Sequence, residues 1–400
     1  MNIDANRAAL GICAATILFA GCGGSQLPIV APVSMQQSRA LPSSYRVLFD
    51  LRGRNGAYPW ASLLNLNGTL YGTSADRGAN GYGTIFSVQT TGDEKVLYSF
   101  GGGSDGAQPF AHLINVKGTL YGTTNRGGTN GYGTVFSITT TGKEKVLYSF
   151  GGGSDGAQPF AGLINVKGTL YGTTFGGGVN GNGTIFSVTT AGVEKVLHSF
   201  GGDLDGVQPW AGLINVKGTL YGTTSSGGSG RSSYGCGTIF SVTTTGKEKV
   251  LYSFLAGSDG AQPYAGLIAV KGTLYGTTAA GGVNGNGTVF SVTTTGVEKV
   301  LHSFGGGSDG VQPWAALSNV NGTLYGTTLG GGANGYGTIF RVTTTGGENA
   351  LYSFGGGSDG AYPYAGLMNV NGTLYGTSLH GGGRGCQDHS GCGTSFAFTP

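Results

Sequence analysis

Charge is scarce in this chain: Asp, Glu, Lys and Arg make up only 10% of 400 residues, and the formal balance is +3. The lysines are spread one or two per fifty residues instead of gathered, so there is no basic patch of the kind that holds a nucleic acid. Histidine is rarer still, with five in the whole chain, and no nucleophile with an adjacent base can be singled out. A phosphate-binding loop is missing as well, since a Gly-x-Gly string carries no weight among 84 glycines. The apolar run from Ala8 to Ala20 is too short to span a bilayer. Nucleic-acid binding, nucleotide-dependent phosphoryl transfer and a membrane-spanning architecture are therefore not expected.

What is abundant is glycine, and it is periodic. Low charge and high glycine suit a low-complexity chain, but Leu-Tyr-Gly and Phe-Ser-Val recur too regularly for that. The stretch Val146 to Lys195 is repeated seven times, with copies opening at Val47, Val96, Val146, Val196, Val250, Val300 and Ala350. A period near fifty residues marks units that bury their apolar faces only against neighbouring copies.

Four β-forming runs lie within one unit, each bounded by turn residues: a (Pro159 to Val166), b (Gly168 to Thr174), c (Gly183 to Thr190) and d (Glu194 to Phe200). Apolar side chains at both odd and even positions, as in Ile185, Phe186 and Val188, imply that both sheet faces are covered. An all-β, seven-bladed propeller with four strands per blade is predicted. Arg46 to Leu51 is an orphan d strand and Thr394 to Thr399 an orphan c strand. Joined with the last a and b strands they make a seventh blade from both chain ends, which removes the open edges.

Residues 1–22 read as an export signal, 23–44 as a Pro-, Ser- and Gln-containing tether, and 45–400 as the propeller. Phe19-Ala20-Gly21-Cys22 resembles a bacterial lipobox, which would make Cys22 the acylated first residue; Phe19 and Asp4 depart from that pattern. Ordinary secretion and an uncleaved anchor are the alternatives. The chain stops within its final strand, so any anchor is expected at the N-terminal end, and the location is the cell envelope or the exterior. Cys386 and Cys392 share one loop and would bond in an oxidising compartment. The alternatives are free thiols or a zinc site with His380 and His389. Cys236, in the place held by Tyr82 or Tyr132 in other copies, reads as an unpaired thiol in a longer loop.

The combination SFGGGSDGAQP, GTLYGTT, the double glycine after strand b and GTIFSVTT resembles the bacterial GloVer tandem repeat over Val47 to Phe398. The resemblance implies an exported or surface-attached protein with varied anchoring, and it carries over no functional residues. The double glycine is also similar to kelch repeats, although the repeated kelch tryptophan is missing.

In a propeller the d-to-a and b-to-c loops share one rim, here the loop-rich one, and loops on a rigid scaffold are where binding resides. Six d-to-a loops carry an Asp: Asp105, Asp155, Asp205, Asp259, Asp309 and Asp359, with Asn55 in the first copy. Each is read as a cap of its own loop or as a ligand contact. One carboxylate per loop does not build a calcium cage, so no metal and no cofactor are expected. An aromatic follows each loop proline: Trp60, Phe110, Phe160, Trp210, Tyr264, Trp314 and Tyr364. These rings either wedge between blades as core or stack on sugar faces, with Gln108, Gln158, Gln208, Gln262 and Gln312 as hydrogen-bonding partners. His198 and His302 take the place of Tyr98 in strand d, and His112 that of Gly162. Glu94, Glu144, Glu194, Glu248, Glu298 and Glu348 open the d strands, mostly beside a Lys, and read as solvated charge pairs on the turn-rich rim.

Near-identical blades favour repeated weak sites over the asymmetry an enzyme needs. A monomeric, non-enzymatic binding propeller is expected, with a glycan or an envelope protein as partner. The alternative is a lyase or hydrolase using the rim Asp residues at the channel mouth.

Overall fold

In the computed structural model, which describes residues 45–202, 204–230, 235–382, 386 and 390–400, each repeat is a four-stranded antiparallel sheet in the order a-b-c-d. The expected export signal with Cys22, the expected tether and His389 lie outside the described residues. Blade 3 has strands a (Ile164–Val166), b (Thr169–Thr174), c (Thr184–Thr189) and d (Glu194–Ser199). Strand a is shorter than predicted. Pro159 has no N–H to give a ladder, and Gln158 stands at φ 56°, so pairing begins only at Ile164. The a-to-b hairpin turns on Lys167 and Gly168, both at positive φ, and the Asn165 side chain accepts a hydrogen bond from Gly168 N at 2.9 Å.

The apolar core lies between blades. Ile185 and Phe186 are adjacent in strand c, point to opposite faces and are both fully buried. Ile185 packs with Tyr171 and Phe200 against Leu213, Leu220 and Phe240 of blade 4, whereas Phe186 meets Tyr121, Val135 and Phe150 of blade 2. Twelve phenylalanines sit in such seams as the largest fully buried side chains, each worth roughly 2 to 3 kcal/mol of transfer free energy. Gly172 makes room for this: a Cβ there would fall 2.7 Å from Phe186 Cζ and 2.9 Å from Leu163 Cδ2.

The seven blades form a closed wheel. Each a strand contacts the a strands on either side, and the first (Leu64–Leu66) contacts the last (Met368–Val370). Strand d of blade 7, Tyr45–Asp50, pairs antiparallel with Thr394–Phe398, from Tyr45 opposite Phe398 to Asp50 opposite Thr394. Its register slips between Val47 and Phe49, at the place where the internal blades carry the same bulge, as between Ile185 and Phe186 opposite strand d of blade 3.

A second fastening was not legible in the sequence. The middle threonine of each b strand is buried and donates to a backbone carbonyl of the next blade. Thr73 reaches Ala111 O and Thr123 reaches Ala161 O at 3.0 Å, Thr173 reaches Ala211 O at 3.1 Å, and Thr377 closes the circle on Pro59 O at 3.3 Å. Valine has the same shape without the donor. We therefore expect Thr173→Val to cost about 2 kcal/mol through the orphaned carbonyl, read as a lower urea midpoint at unchanged slope. A neutral result would mean that the carbonyl finds another donor.

Candidate functional site

The proline-aromatic residues converge at the centre because they immediately precede the innermost strands. Their rings form an unbroken circle: Trp60 to Phe110 5.4 Å, Phe110 to Phe160 5.3 Å, Phe160 to Trp210 4.2 Å, Trp210 to Tyr264 5.8 Å, Tyr264 to Trp314 4.1 Å, Trp314 to Tyr364 5.0 Å and Tyr364 to Trp60 4.2 Å between centroids. Two of these pairs are flat stacks, at 13° and 8°. A heptagon of such sides measures only about 11 Å between opposite centroids, so the ring bodies take up most of the opening. These residues fill the axis as an aromatic collar, and their faces are largely spent on one another. Burial pushes the Tyr264 phenol up to about 12 and that of Tyr364 further.

Two residues further along each copy stand Ser62, His112, Gly162, Gly212, Gly266, Ala316 and Gly366. His112 is the one large member. A Cβ on Gly162 would fall 2.3 to 2.6 Å from its ring atoms, so the imidazole lies across that glycine, and burial lowers its pKa.

The Asp residues occupy a different place. Asp155 Oδ2 accepts from Gly151 N at 2.6 Å and from the Tyr148 hydroxyl at 2.8 Å. Asp105 pairs in the same way with Gly101 and Tyr98, and Asp359 with Gly355 and Tyr352. Asp259 pairs with Leu255 and Tyr252, while Asp205 and Asp309 meet His198 and His302. Each Asp caps its loop and is tied to the outermost strand. The carboxylates therefore stand at the blade edge, away from the channel mouth where an enzyme of the alternative kind would need them. The structure does not bring them together with the aromatic collar.

The glutamates correct the sequence expectation. Alternation along strand d turns Glu194 to the face opposite Lys195, and no Glu–Lys ion pair forms among the described residues. The Glu side chains instead fold against the preceding blade, with the Oε1 atoms of Glu94, Glu144, Glu194, Glu248, Glu298 and Glu348 buried and unpartnered. Burial first, and then the neighbouring Asp, push Glu144, Glu194, Glu248, Glu298 and Glu348 up to about 7. Five of the blade junctions thus hold a Tyr or His, an Asp and a Glu. At the junction of blades 7 and 1 the set becomes Phe49, Asn55 and Glu94, with Asn55 Nδ2 donating to Glu94 at 3.2 Å. At that of blades 6 and 7, Tyr45 stands in the glutamate's place and stacks on Tyr352 at 4.2 Å. This joint change of Phe49 and Asn55 is the one signal in the sequence that linked the positions.

The open aromatics are elsewhere. Tyr82 and Tyr132, in b-to-c loops, are 46% and 44% exposed. Each lies over a glycine of the next loop: a Cβ on Gly102 would fall 2.5 Å from the Tyr82 ring, and one on Gly152 2.4 Å from Tyr132. The Gln residues serve this rim through the backbone, since Gln158 N donates to Tyr132 O and Phe175 N to Gln158 O. Cys386 and Cys392 are joined in a disulfide, so their sulfurs are not free to ligate zinc with His380. Cys236 is buried and disulfide-bonded, which corrects the unpaired thiol expected there.

A closed wheel of near-identical four-stranded blades, plugged by aromatics and carrying its variation on one rim, defines a seven-bladed β-propeller built from a tandem repeat. The chain belongs to the Gloeobacter/Verrucomicrobia repeat family, whose sequence model matches residues 37–174, 152–232 and 229–400. Among curated proteins no sequence relative matches. Of the solved structures, a lectin from Burkholderia pseudomallei is similar at 12% identity and a TM-score of 0.52, covering 80% of this chain and 92% of the lectin. Puromycin hydrolase is similar at 11% identity and a TM-score of 0.52, over 84% of this chain and 53% of the hydrolase. At such identities the likeness shows the propeller fold alone.

Proposed function

We propose that this protein is a non-enzymatic binding propeller, exported and attached to the envelope at its N-terminal end, which holds a glycan or another surface polymer on its loop-rich rim. The reading rests on where the repeated chemistry is open. Tyr82 and Tyr132 present half-exposed rings on glycine platforms in successive blades, as stacking on a repeating sugar requires. The carboxyl groups that hydrolysis or elimination would use are turned into the blade junctions, with their Glu Oε1 atoms buried. Sites that recur in neighbouring blades suit a polymer, because weak contacts on one rigid rim add up as avidity.

Glycan arrays and a pull-down from isolated envelope test it. Tyr82→Ala with Tyr132→Ala is expected to weaken retention about 30-fold at unchanged circular dichroism, at roughly 1 kcal/mol for each ring. Trp210→Ala with Trp314→Ala tests whether the collar contributes through its exposed edges. Silence of the intact protein across glycans and envelope material would end the proposal.

A further inference from the structure

Strand d of blade 5 (Glu298–Ser303) carries His302 where four other d strands carry a tyrosine. The short helical turn after it, Gly307–Asp309, supplies Asp309, and strand d of blade 6 (Glu348–Ser353) opens with Glu348. One ligand atom from each of these three residues lies within 4.8 Å of the other two, the one such grouping among the described residues. His302 Nε2 and Asp309 Oδ2 are 3.3 Å apart.

We propose that His302, Asp309 and Glu348 form a site for a divalent transition-metal ion, zinc by its donor set, which staples blade 5 to blade 6. Two buried oxygens without partners, Asp309 Oδ1 and Glu348 Oε1, face this junction. A cation would satisfy both and cancel the repulsion between two carboxylates. At the tyrosine junctions a phenol does part of that work: Tyr148 reaches both Asp155 and Glu194, and Tyr252 both Asp259 and Glu298. Imidazole is shorter and leaves the gap. At the other histidine junction Asp205 spends both oxygens on Gly201 N, at 2.9 and 3.1 Å, and no three-ligand grouping forms among the described residues.

The donor set decides the metal. One imidazole nitrogen with two carboxylates disfavours calcium and magnesium, which take oxygen ligands, and suits zinc with a water completing the tetrahedron. Zinc ligands lie about 3.3 Å apart, so the His302–Asp309 pair is already spaced for it. Glu348, within 4.8 Å of the other two, has to approach by at most about 1.5 Å, within the reach of its own rotamers. The other ring nitrogen of His302 must then carry the proton.

The test uses the full-length protein stripped with EDTA and titrated with zinc chloride. Calorimetry and elemental analysis after dialysis should give one bound zinc per chain. His302→Tyr places the residue that four sister blades tolerate, so the fold should persist. It is expected to weaken binding about 100-fold, as is Glu348→Gln, while His198→Tyr leaves binding unchanged. Absence of stoichiometric zinc in the unsubstituted protein would overturn the site. So would equal zinc retention by the His302→Tyr variant, which would place the metal elsewhere.

Discussion

A variant lacking residues 1–50 is expected to be recovered as aggregate, or as associated material without a cooperative melt, even though six of its seven blades are intact. The missing strand, Tyr45–Asp50, covers Thr394–Phe398, and its loss turns an internal strand into an open edge of unpaired backbone groups. It also removes Tyr45, which is only 2% exposed and packs on Tyr352 at 4.2 Å and on Phe396 at 5.4 Å. Losing one such buried ring costs about 3 to 5 kcal/mol, a large part of the roughly 5 to 15 kcal/mol that holds a domain folded. The milder substitution Tyr45→Ala should lower the urea midpoint accordingly. Size-exclusion chromatography with thermal melts decides the matter: a truncated chain that elutes as a monomer and melts like the intact protein would show that the ring does not depend on its closing strand.

Stability should fall as pH rises from 5 to 8, against the usual behaviour of carboxylates. Glu144, Glu194 and Glu298 are held near 7 in the fold, against an ordinary 4.5, mainly by burial and then by Asp105, Asp155 and Asp259. Between those values the folded chain binds more protons than the unfolded one, so unfolding becomes easier with each increment of pH. The raw shift corresponds to about 3 kcal/mol per residue, which partial exposure reduces to about 1 kcal/mol each. With Glu248 and Glu348, held up in the same way, the five sites should add to about 5 kcal/mol across the window, less the opposing contribution of His112 and His302, whose pKa burial lowers. Urea midpoints measured in EDTA at pH 5, 6, 7 and 8 should decline in order. Glu144→Gln with Glu194→Gln should flatten the decline by about 2 kcal/mol. A midpoint that climbs toward pH 8 would refute the assignment.

Much of the fold was legible because the repeat states it seven times. Leu-Tyr-Gly, Phe-Ser-Val and the orphan strands at Arg46 and Thr394 were enough to count strands and to pair the two ends. Legibility failed where a residue answers to a neighbour in another blade. Glu194 stands next to Lys195 in the chain and reads as half of a surface pair. Only the stacking of blades shows it folded against Tyr148. The threonine circle is invisible for the same reason, since Thr173 in GTLYGTT gives no sign that Ala211 O waits 3.1 Å away. The collar was half read: the aromatics were placed on the inner strands, but that they would stack into a complete circle depends on the width of the axis.

The order of strands in a blade, the number of blades and the closure by both chain ends were determined by sequence alone, because periodic burial and turn residues act over a few positions and recur in every copy. Tertiary structure decided which aromatics are plug and which are platform, which carboxyls face each other across a blade junction, and why His302 differs from His198. Those properties depend on distances between side chains of adjacent blades, set by how the sheets stack around the axis, and a separation of about forty residues along the chain does not encode them.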